Sequence, residues 1–301
     1  MTAAIETNGL GRRFRRGWAL HDCTVTIPAG AIVGLAGPNG AGKSTLLDLA
    51  VGLLEPTSGE IRVLGRYPRR DRSFLARVGY VAQGAPLYRS FSVAETVEFA
   101  RTTNPGWDGS AALDFLGGLA PATKVSALSE GERARLALAL ALGKRPELLL
   151  LDEPFARLDP LAGREFLQLL MDGVAETGAT VLIASHVIAD LERVCDHIVL
   201  LTDGRVRLAG DVEELLETHC LLSGARRPLG TIRNVTEIVR ERHSGRQSTL
   251  LVRNDGPIVD ASWAVDHVGL EELLLAYMAP GRVPRPPSSP PPERVPLRWH
   301  G

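Results

Sequence analysis

A glycine-rich segment carries the residue types and the spacing needed to bind phosphate. It reads Gly-Pro-Asn-Gly-Ala-Gly-Lys-Ser-Thr. In such a loop several backbone N–H groups converge at the positive end of the following helix, where an anion binds. Lys43 adds a flexible cation for the outer phosphates, and the Ser44 hydroxyl can ligate magnesium. The residues assigned to phosphate binding are Gly37, Pro38, Asn39, Gly40, Ala41, Gly42, Lys43, Ser44 and Thr45.

The flanks of this segment predict a strand before it and a helix after it. Residues 31–36 form a short apolar run, typical of a strand buried on both faces, and leucines recur at helical spacing after Thr45. The alternative is an ordinary glycine turn that only caps a helix. The strand–turn–helix context disfavours that alternative.

Two adjacent carboxylates follow a second apolar run. Four leucines, residues 148–151, lead directly into Asp152 and Glu153. In a doubly wound sheet such strand ends face the same edge as the phosphate loop. Asp152 could then hold magnesium directly or through water, and Glu153 could polarise an attacking water. Either acid alone could instead cap a turn, but the two together after a buried strand favour a site.

The elements that must position these residues alternate between strand and helix. Buried strands are predicted at residues 148–151, 180–184 and 198–201, with a helix at 164–176 between the first two. This alternation indicates a mostly parallel sheet with helices on its faces. Before the phosphate loop, short β-rich runs around Ile5 and Val25 predict a further strand layer.

A helical insertion is predicted between Gln83 and the leucine strand. Ser92 and Glu95 have capping-box spacing ahead of a helix that reaches Arg101, and a further helix is expected at residues 111–116. Ser129 and Glu132 repeat that spacing. The leucines at 136, 138, 140 and 142 alternate as in a strand, but the surrounding residues are helix formers without β-branching, so we expect a long buried helix.

The C-terminal part has a weaker pattern. Residues 250–252 and 258–259, separated by an Asn-Asp-Gly-Pro turn, suggest a hairpin, and residues 270–277 a terminal helix. Proline dominates from Pro280 onward, which predicts a disordered tail.

Composition restricts the class of protein. The chain has 34 basic and 35 acidic residues, so a nucleic-acid partner is not expected. Its three cysteines lack metal-ligand spacing and indicate core fillers in a reducing cytoplasm. The longest apolar runs are far shorter than the roughly 20 residues a membrane-spanning helix needs, and the N-terminus lacks the apolar core of a signal peptide.

With these motifs in order, residues 5–216 resemble the nucleotide-binding subunit of ATP-binding cassette (ABC) transporters. Residues 128–132, Leu-Ser-Glu-Gly-Glu, occupy the place of the family's LSGGQ sequence, Leu158 and Asp159 that of its dimer-contact loop, and His186 that of its switch histidine. The resemblance implies an α/β P-loop NTPase of the ABC ATPase fold. That fold has a mostly parallel sheet, an N-terminal antiparallel β layer and an inserted α-helical subdomain, here with a small α+β C-terminal extension.

The resemblance also implies a role for individual residues. Phe14 matches the base-stacking aromatic, with Trp18 as the less favoured substitute, and either ring could instead pack over the sheet edge. Gln83 would link magnesium and water to the transmembrane partner, while Ser129 and Gly131 would complete the pocket of a second subunit. Catalysis is assigned to Glu153, His186 and Lys43, metal binding to Ser44, Gln83 and Asp152, and the expected cofactors are ATP and Mg²⁺.

Three residues depart from the family pattern. Glu130 and Glu132 replace a glycine and the glutamine of LSGGQ, which adds negative charge near a phosphate pocket. Both suit the first turn of a helix, but we expect weaker ATP-driven dimer closure or slower turnover. Arg157 replaces the small residue usual before Leu158 and has no assigned role at this stage.

The expected function is that of an ATP-hydrolysing motor: two copies close on ATP and drive a separate membrane permease. The segment 104–108 and the terminal helix resemble subunits paired with ABC-2-type export permeases, which implies export. The expected location is cytoplasmic, on the inner face of the cell membrane. Two alternatives stay open: a soluble ABC ATPase acting on ribosomes or DNA, and a weakly hydrolysing regulatory subunit. The expected domains are 1–219 for nucleotide binding, with the helical subdomain at about 84–145, then 220–279 as an accessory segment and 280–301 as the tail.

Overall fold

The computed structural model describes residues 2–109, 115–226 and 232–279. The strands are β1 Ala3–Phe14, β2 Gly17–Pro28, β3 Ile32–Ala36, β4 Ser58–Val63, β5 Val78–Val81, β6 Leu148–Asp152, β7 Thr180–Ser185, β8 His197–Thr202, β9 Arg205–Asp211, β10 His219–Ala225, β11 Val235–Ser244, β12 Gln247–Asn254 and β13 Trp263–His267. The helices are α1 Lys43–Ala50, α2 Arg72–Arg77, α3 Val93–Thr103, α4 Glu130–Leu142, α5 Pro160–Thr177, α6 Ile188–Glu192, α7 Val212–Glu217 and α8 Leu270–Met278, and a 3-10 turn covers Val125–Ala127.

A six-stranded sheet forms the centre of the molecule, in the order β5-β6-β7-β3-β8-β9. The first five strands are mutually parallel, and β9 returns antiparallel to β8 through a turn at Asp203 and Gly204. Every residue of β3, β6 and β7 is buried, as expected for parallel strands covered by helices on both faces. The predicted α/β fold with a mostly parallel sheet is therefore confirmed.

The N-terminal strands form a separate three-stranded antiparallel sheet, in the order β2-β1-β4. Its inward side chains, among them Ile5, Leu20 and Ile61, pack in one hydrophobic cluster with Val33 and Leu35 of the central sheet. This layer covers the face of the central sheet on which α1 also packs.

Both predicted capping boxes are present in the helical insertion. The Ser92 hydroxyl accepts from the Glu95 backbone N–H at the start of α3, and the Ser129 hydroxyl accepts from the Glu132 N–H at the start of α4. Helix α4 buries Leu136, Leu138 and Leu142, so the composition argument for a helix was correct and the strand-like alternation was not a strand. Of the helix predicted at residues 111–116, positions 111–114 lie outside the described residues.

The C-terminal region contains a four-stranded antiparallel sheet, in the order β11-β12-β10-β13, followed by α8. The predicted hairpin between residues 250–252 and 258–259 is wrong. Strand β12 instead pairs with the preceding β11 through the two-residue turn Gly245-Arg246, because Gly245 adopts the positive φ of +59° that such a turn requires. The terminal helix is confirmed, and the predicted proline-rich tail lies outside the described residues.

Helix α8 joins this region to the main core. Leu270, Leu273 and Leu274 are fully buried in the same hydrophobic cluster as Leu191 of α6 and Leu200 of β8. Across the part of the chain that the structure describes, no helix has both the length and the apolar character to span a membrane.

Candidate nucleotide-binding site

Four segments of the predicted site meet at one edge of the central sheet. The glycine-rich loop follows β3, Asp152 ends β6, His186 follows β7, and Gln83 lies just beyond β5. These strands are adjacent and parallel, and their register places Ala36 beside Ser185 and Asp152 beside Ala184. Residues separated by more than a hundred positions in the sequence are thus brought to the same edge by strand order.

The loop fits closely against the strand and turn beside it. A Cβ at Gly37 would fall on the Leu201 carbonyl oxygen, and one at Gly42 would lie 2.5 Å from the Ala19 carbonyl oxygen. Gly42, which precedes α1, has a φ of +107°, which side chains rarely permit. A glycine is therefore required at both positions, and the loop follows a path on which backbone N–H groups can face an anion.

Lys43 folds back over the loop. Its Nζ donates to the carbonyl oxygens of Gly37 at 2.8 Å and Pro38 at 3.2 Å, and lies 3.1 Å from Glu153 Oε1. The side chains of Lys43 and Glu153 are only 6% and 7% exposed. A buried cation with this set of partners is held at the loop, where the outer phosphates of a nucleotide would compete for it.

Glu153 is held between Lys43 and His186. Its Oε2 lies 2.7 Å from His186 Nδ1 and accepts from the His186 backbone N–H at 3.3 Å. Its own backbone N–H donates to Ala184 O at 2.9 Å, and its φ is +49°. A non-glycine residue in this conformation is strained, and the contacts with Lys43, Ala184 and His186 hold the backbone in it. The strained backbone fixes the direction of the Glu153 carboxylate.

Asp152 is 3% exposed, and its Oδ1 has no hydrogen-bond partner among the described residues. Burial raises the pKa of Asp152, a hydrogen bond from Ser44 opposes that rise, and the nearby charges of Glu153 and Asp48 add to it. A buried carboxylate oxygen without a partner, next to a hydroxyl, fits a hard cation. Within the described ranges no cluster of three His, Cys, Asp or Glu side chains could hold a metal ion, so Mg²⁺ here would need oxygens from the nucleotide as well.

Six of the nine predicted loop residues line one cleft of about 380 Å³ with Gln83 and Glu153, whereas Gly37, Pro38 and Ala41 do not belong to its lining. Its lining consists of Ala19, Asn39, Gly40, Gly42, Lys43, Ser44, Thr45, Gln83 and Glu153. Gln83 is thus brought to the cleft that contains Lys43 and Ser44, as predicted. A cleft of this size has room for a small molecule.

The two aromatic candidates lie close to this cleft, but neither belongs to its lining. Phe14 ends β1 with the Arg12 guanidinium 4.9 Å from its ring centre, and Trp18 has the Arg13 guanidinium at 5.9 Å. Ala19, the residue after Trp18, does line the cleft. Both rings are exposed, and a base-stacking role for Phe14 stays a prediction.

Ser129 and Gly131 are not brought to the phosphate cleft of their own chain, whose described lining contains neither residue. Ser129 is the N-cap of α4, and its backbone N–H donates to Glu132 Oε2 at 2.8 Å. That bond and the capping hydroxyl lower the pKa of Glu132. A second anion site at this helix N-terminus, completed by another copy of the chain, stays a prediction.

Two features of the site were missed from the sequence. Asp48, one helical turn after Ser44 on α1, accepts from the Tyr80 hydroxyl at 3.2 Å, and its charge contributes to the raised pKa of Asp152. The i, i+4 spacing from Ser44 to Asp48 was the available signal. Arg157, unexplained in the sequence, lies 3.7 Å from Glu130.

Known proteins share this arrangement of sequence and fold. A family model described as ABC transporter matches residues 20–156. The lipopolysaccharide export system ATP-binding protein LptB of Acidithiobacillus ferridurans is 33% identical over 228 residues, which cover 72% of this chain and 94% of LptB. The sulfate/thiosulfate import ATP-binding protein CysA of Mesorhizobium japonicum is 34% identical over 227 residues, covering 71% of this chain and 65% of CysA.

The chain also resembles a solved structure of an ATP-binding cassette. The ATP-binding cassette MJ0796, solved as a dimer in a post-hydrolysis state with ADP and Pi, superposes with a TM-score of 0.62 at 27% identity. The superposition covers 69% of this chain and 98% of the cassette.

Proposed function

This chain belongs to the ATP-binding subunits of ABC transporters and is an ATP-hydrolysing P-loop ATPase; from that premise we propose that it drives a separate membrane permease through ATP-dependent pairing of two copies. The observation that carries the proposal is the Lys43–Glu153–His186 arrangement beside the glycine-rich loop. Lys43 and the buried Glu153 carboxylate line the cleft, and the His186 imidazole contacts that carboxylate from its other oxygen.

Each residue at the cleft has a stated task. The loop N–H groups and Lys43 bind and orient the phosphates, and Glu153 Oε2 accepts a proton from the attacking water. His186 donates from Nδ1 to that carboxylate and so fixes its direction beside the phosphates. Asp152, Ser44 and Gln83 would hold Mg²⁺, and the ion would supply charge neutralisation at the phosphate oxygens.

A second copy of the chain completes the site. Ser129 and Gly131 lie at the N-terminus of α4, outside the cleft of their own chain, where the first N–H groups of a helix lack intrahelical partners and an anion would compete with the capping bonds of Ser129 and Glu132. The dimeric form in which the cassette MJ0796 was solved supports the same arrangement for this chain. ATP is then held between Lys43 of one copy and Ser129 of the other.

The permease docks next to Gln83. Five residues beyond it, Tyr88 is 60% exposed and packs its ring against Phe91 and Phe99, with centre distances of 5.1 and 5.6 Å. Phe99 on α3 is itself 45% exposed. This aromatic surface is continuous in the chain with the loop that reaches the phosphate cleft, so a permease segment seated on it would sense the nucleotide.

Export and the domain limits form part of the same proposal. Relatives of both directions share the core, as LptB and CysA illustrate, so the core as a whole does not set the direction. We propose export because residues 104–108 and α8 resemble those of export subunits. We assign residues 1–219 to the ATP-binding domain, with the helical subdomain at about 84–145. Residues 220–279 form the accessory segment, which contains most of β10 and all of β11 to α8, and 280–301 the tail. The permease would hold the subunit at the inner face of the cell membrane.

The test is to co-express the chain with the polytopic membrane protein encoded in the adjacent reading frame and to measure Mg·ATP hydrolysis by the purified complex in lipid vesicles. We expect the complex to form and to hydrolyse ATP. Phe99→Asp should weaken complex formation, whereas Ile238→Asp, at an exposed apolar position of β11, should not. Hydrolysis by the unchanged protein with no association with that permease would contradict the transport function.

A further inference from the structure

Two of the residues that depart from the family pattern lie together. The Arg157 guanidinium NH1 lies 3.7 Å from Glu130 Oε1, and the guanidinium of Arg133 lies at 3.7 Å from the same oxygen. Glu130 is the first residue of α4 and directly follows Ser129. Its carboxylate therefore lies between two cations at the helix end proposed to bind the nucleotide of a second copy.

Arg157 occupies a turn that is fixed relative to the catalytic carboxylate. The Ala156 N–H donates to Glu153 O at 3.3 Å, and the Leu158 N–H donates to Phe155 O at 3.1 Å. The Phe155 ring packs edge-on against Phe166 of α5 at 5.5 Å. These contacts anchor the base of the Arg157 side chain, which extends toward α4.

The same guanidinium also reaches the loop after Gln83. Its NH1 lies 4.0 Å from the position a Cβ would take on Gly84. Arg157 and Glu130 line a cavity together with Gln83, Asp152 and Glu153. One exposed arginine thus adjoins three parts of the proposed site: the α4 N-terminus, the loop after Gln83 and the turn after Glu153.

An acidic residue at the α4 N-terminus poses an electrostatic problem. A carboxylate suits the helix dipole, but it repels a triphosphate that approaches the same N–H groups. A cation adjacent to the carboxylate offsets that repulsion, because its attraction for the triphosphate acts over the same short distance.

We propose that Arg157 is a positioning residue that neutralises Glu130 and ties the α4 N-terminus to the turn after Glu153, so that Ser129 and Gly131 can approach the nucleotide of a second copy. This inference rests on the proposed function. Arg157 makes the Glu130 departure compatible with closure of the ATP-bound dimer, and its side chain needs no contact with the nucleotide itself.

The effect of one exposed pair is small, but the dimer contains two. An exposed ion pair changes an equilibrium by about two- to five-fold. Two symmetric sites multiply, so the loss of both pairs should weaken ATP-dependent dimerisation by about ten-fold. Nucleotide binding to the single chain should change little, because the Lys43 cleft is not lined by Arg157.

The experiment is a double-mutant cycle of Arg157→Ala and Glu130→Gln, prepared in a Glu153→Gln background so that ATP is not consumed. Dimerisation with Mg·ATP is measured by sedimentation. The same cycle with Glu153 intact gives kcat and KM for hydrolysis. We expect Arg157→Ala alone to weaken dimerisation about ten-fold and to raise KM, and the further change Glu130→Gln to restore both. Arg157→Lys should retain most of the dimerisation of the unchanged protein, because it keeps the positive charge. Arg164→Ala, which removes an exposed arginine on α5, should change neither dimerisation nor KM.

Three results would overturn the proposal. The first is an Arg157→Ala variant with dimerisation and KM unchanged, and the second is an equal impairment by Arg157→Ala when position 130 is glutamine. In both cases Glu130 is not what Arg157 acts on. The third is a Glu153→Gln protein with Arg157 and Glu130 intact that fails to dimerise with Mg·ATP. That failure would remove the dimeric motor function itself and the inference with it, whereas the first two would leave the motor function standing.

Discussion

The Lys43 ammonium and the Glu153 carboxylate form a buried ion pair, with Nζ 3.1 Å from Oε1. The pair joins the residue that would bind the outer phosphates to the residue that would activate water. Each neutralises the other until a phosphate competes for the lysine. Because both side chains are buried, removing one partner leaves an uncompensated charge, which costs more than breaking an exposed pair.

We expect Glu153→Gln to slow ATP hydrolysis by about 100-fold or more, because an amide does not accept the proton of water. Binding of Mg·ATP should be at least as tight as in the unchanged protein, since Lys43 loses the carboxylate that competes with phosphate. Phosphate release and titration with a fluorescent ATP analogue measure the two quantities. Glu217→Gln, an exposed acid on α7, is the matched control. Hydrolysis at the unchanged rate would take Glu153 out of the catalytic role.

His186 should affect ATP hydrolysis by orienting the Glu153 carboxylate. Its Nδ1 lies 2.7 Å from Glu153 Oε2, so the ring fixes the direction of that carboxylate. We expect His186→Ala to lower kcat for hydrolysis by about 100-fold and to change ATP affinity only a few-fold. His267→Ala, an exposed histidine on β13, serves as the control for histidine loss. If ATP affinity falls as steeply as kcat, His186 acts in binding rather than in orienting the carboxylate.

The parts of the site that could be predicted from sequence are those that strand order brings together. The glycine loop, Asp152 and His186 each follow a run of apolar residues, and parallel strands share a carboxyl edge. The contact between Arg157 and Glu130 could not be predicted in this way. Arg157 lies in an irregular turn after β6, where the direction of a side chain depends on local geometry rather than on periodicity, and Glu130 begins α4 in a distant part of the sequence.

Some elements of the fold could also be predicted from the sequence, and others could not. Helix α4 was predicted because composition decided against the leucine alternation, and two capping boxes marked helix starts within one residue. The hairpin at Asn254 was assigned wrongly because an Asn-Asp-Gly-Pro sequence is a strong turn signal. The actual hairpin turns at Gly245. Strand β11 has two register shifts against β12, so its sequence lacks the regular alternation of polar and apolar residues by which a strand is recognised.

Asp152→Asn should show separately how much the buried carboxylate lowers the stability of the protein and how much it contributes to Mg·ATP binding. Burial raises the pKa of Asp152 above its ordinary value, so the ionised form destabilises the nucleotide-free protein at neutral pH, and this cost is relieved as the pH falls through the raised pKa. We therefore expect the asparagine variant to be more stable at pH 7, by on the order of 1 kcal/mol. Its thermal midpoint should rise less on addition of Mg·ATP. An equal ligand-induced rise in both proteins would exclude Asp152 from the metal site.

Lys144 is a half-buried charge that the proposed reaction does not use. It follows α4 and lies in a cavity with Tyr80, Leu140 and Ala141, where Nζ donates to Val78 O at 2.8 Å. Burial lowers the pKa of Lys144 to about 8. The folded protein therefore binds fewer protons at this residue than the unfolded chain between about pH 8 and pH 10.5, and stability should rise with pH across that window.

We expect Lys144→Met to stabilise the protein at pH 7 by about 1–2 kcal/mol, because relief of the buried ammonium exceeds the cost of leaving the Val78 carbonyl without its donor. Above pH 8 the advantage should shrink, since the lysine of the unchanged protein then loses its proton in the folded state. Urea unfolding at pH 7 and at pH 9.5 measures both effects, with Lys124→Met, at an exposed position, as the control. A variant that is less stable at pH 7, or one whose stability follows the same pH dependence as the unchanged protein, would show that the Lys144 ammonium carries no burial cost.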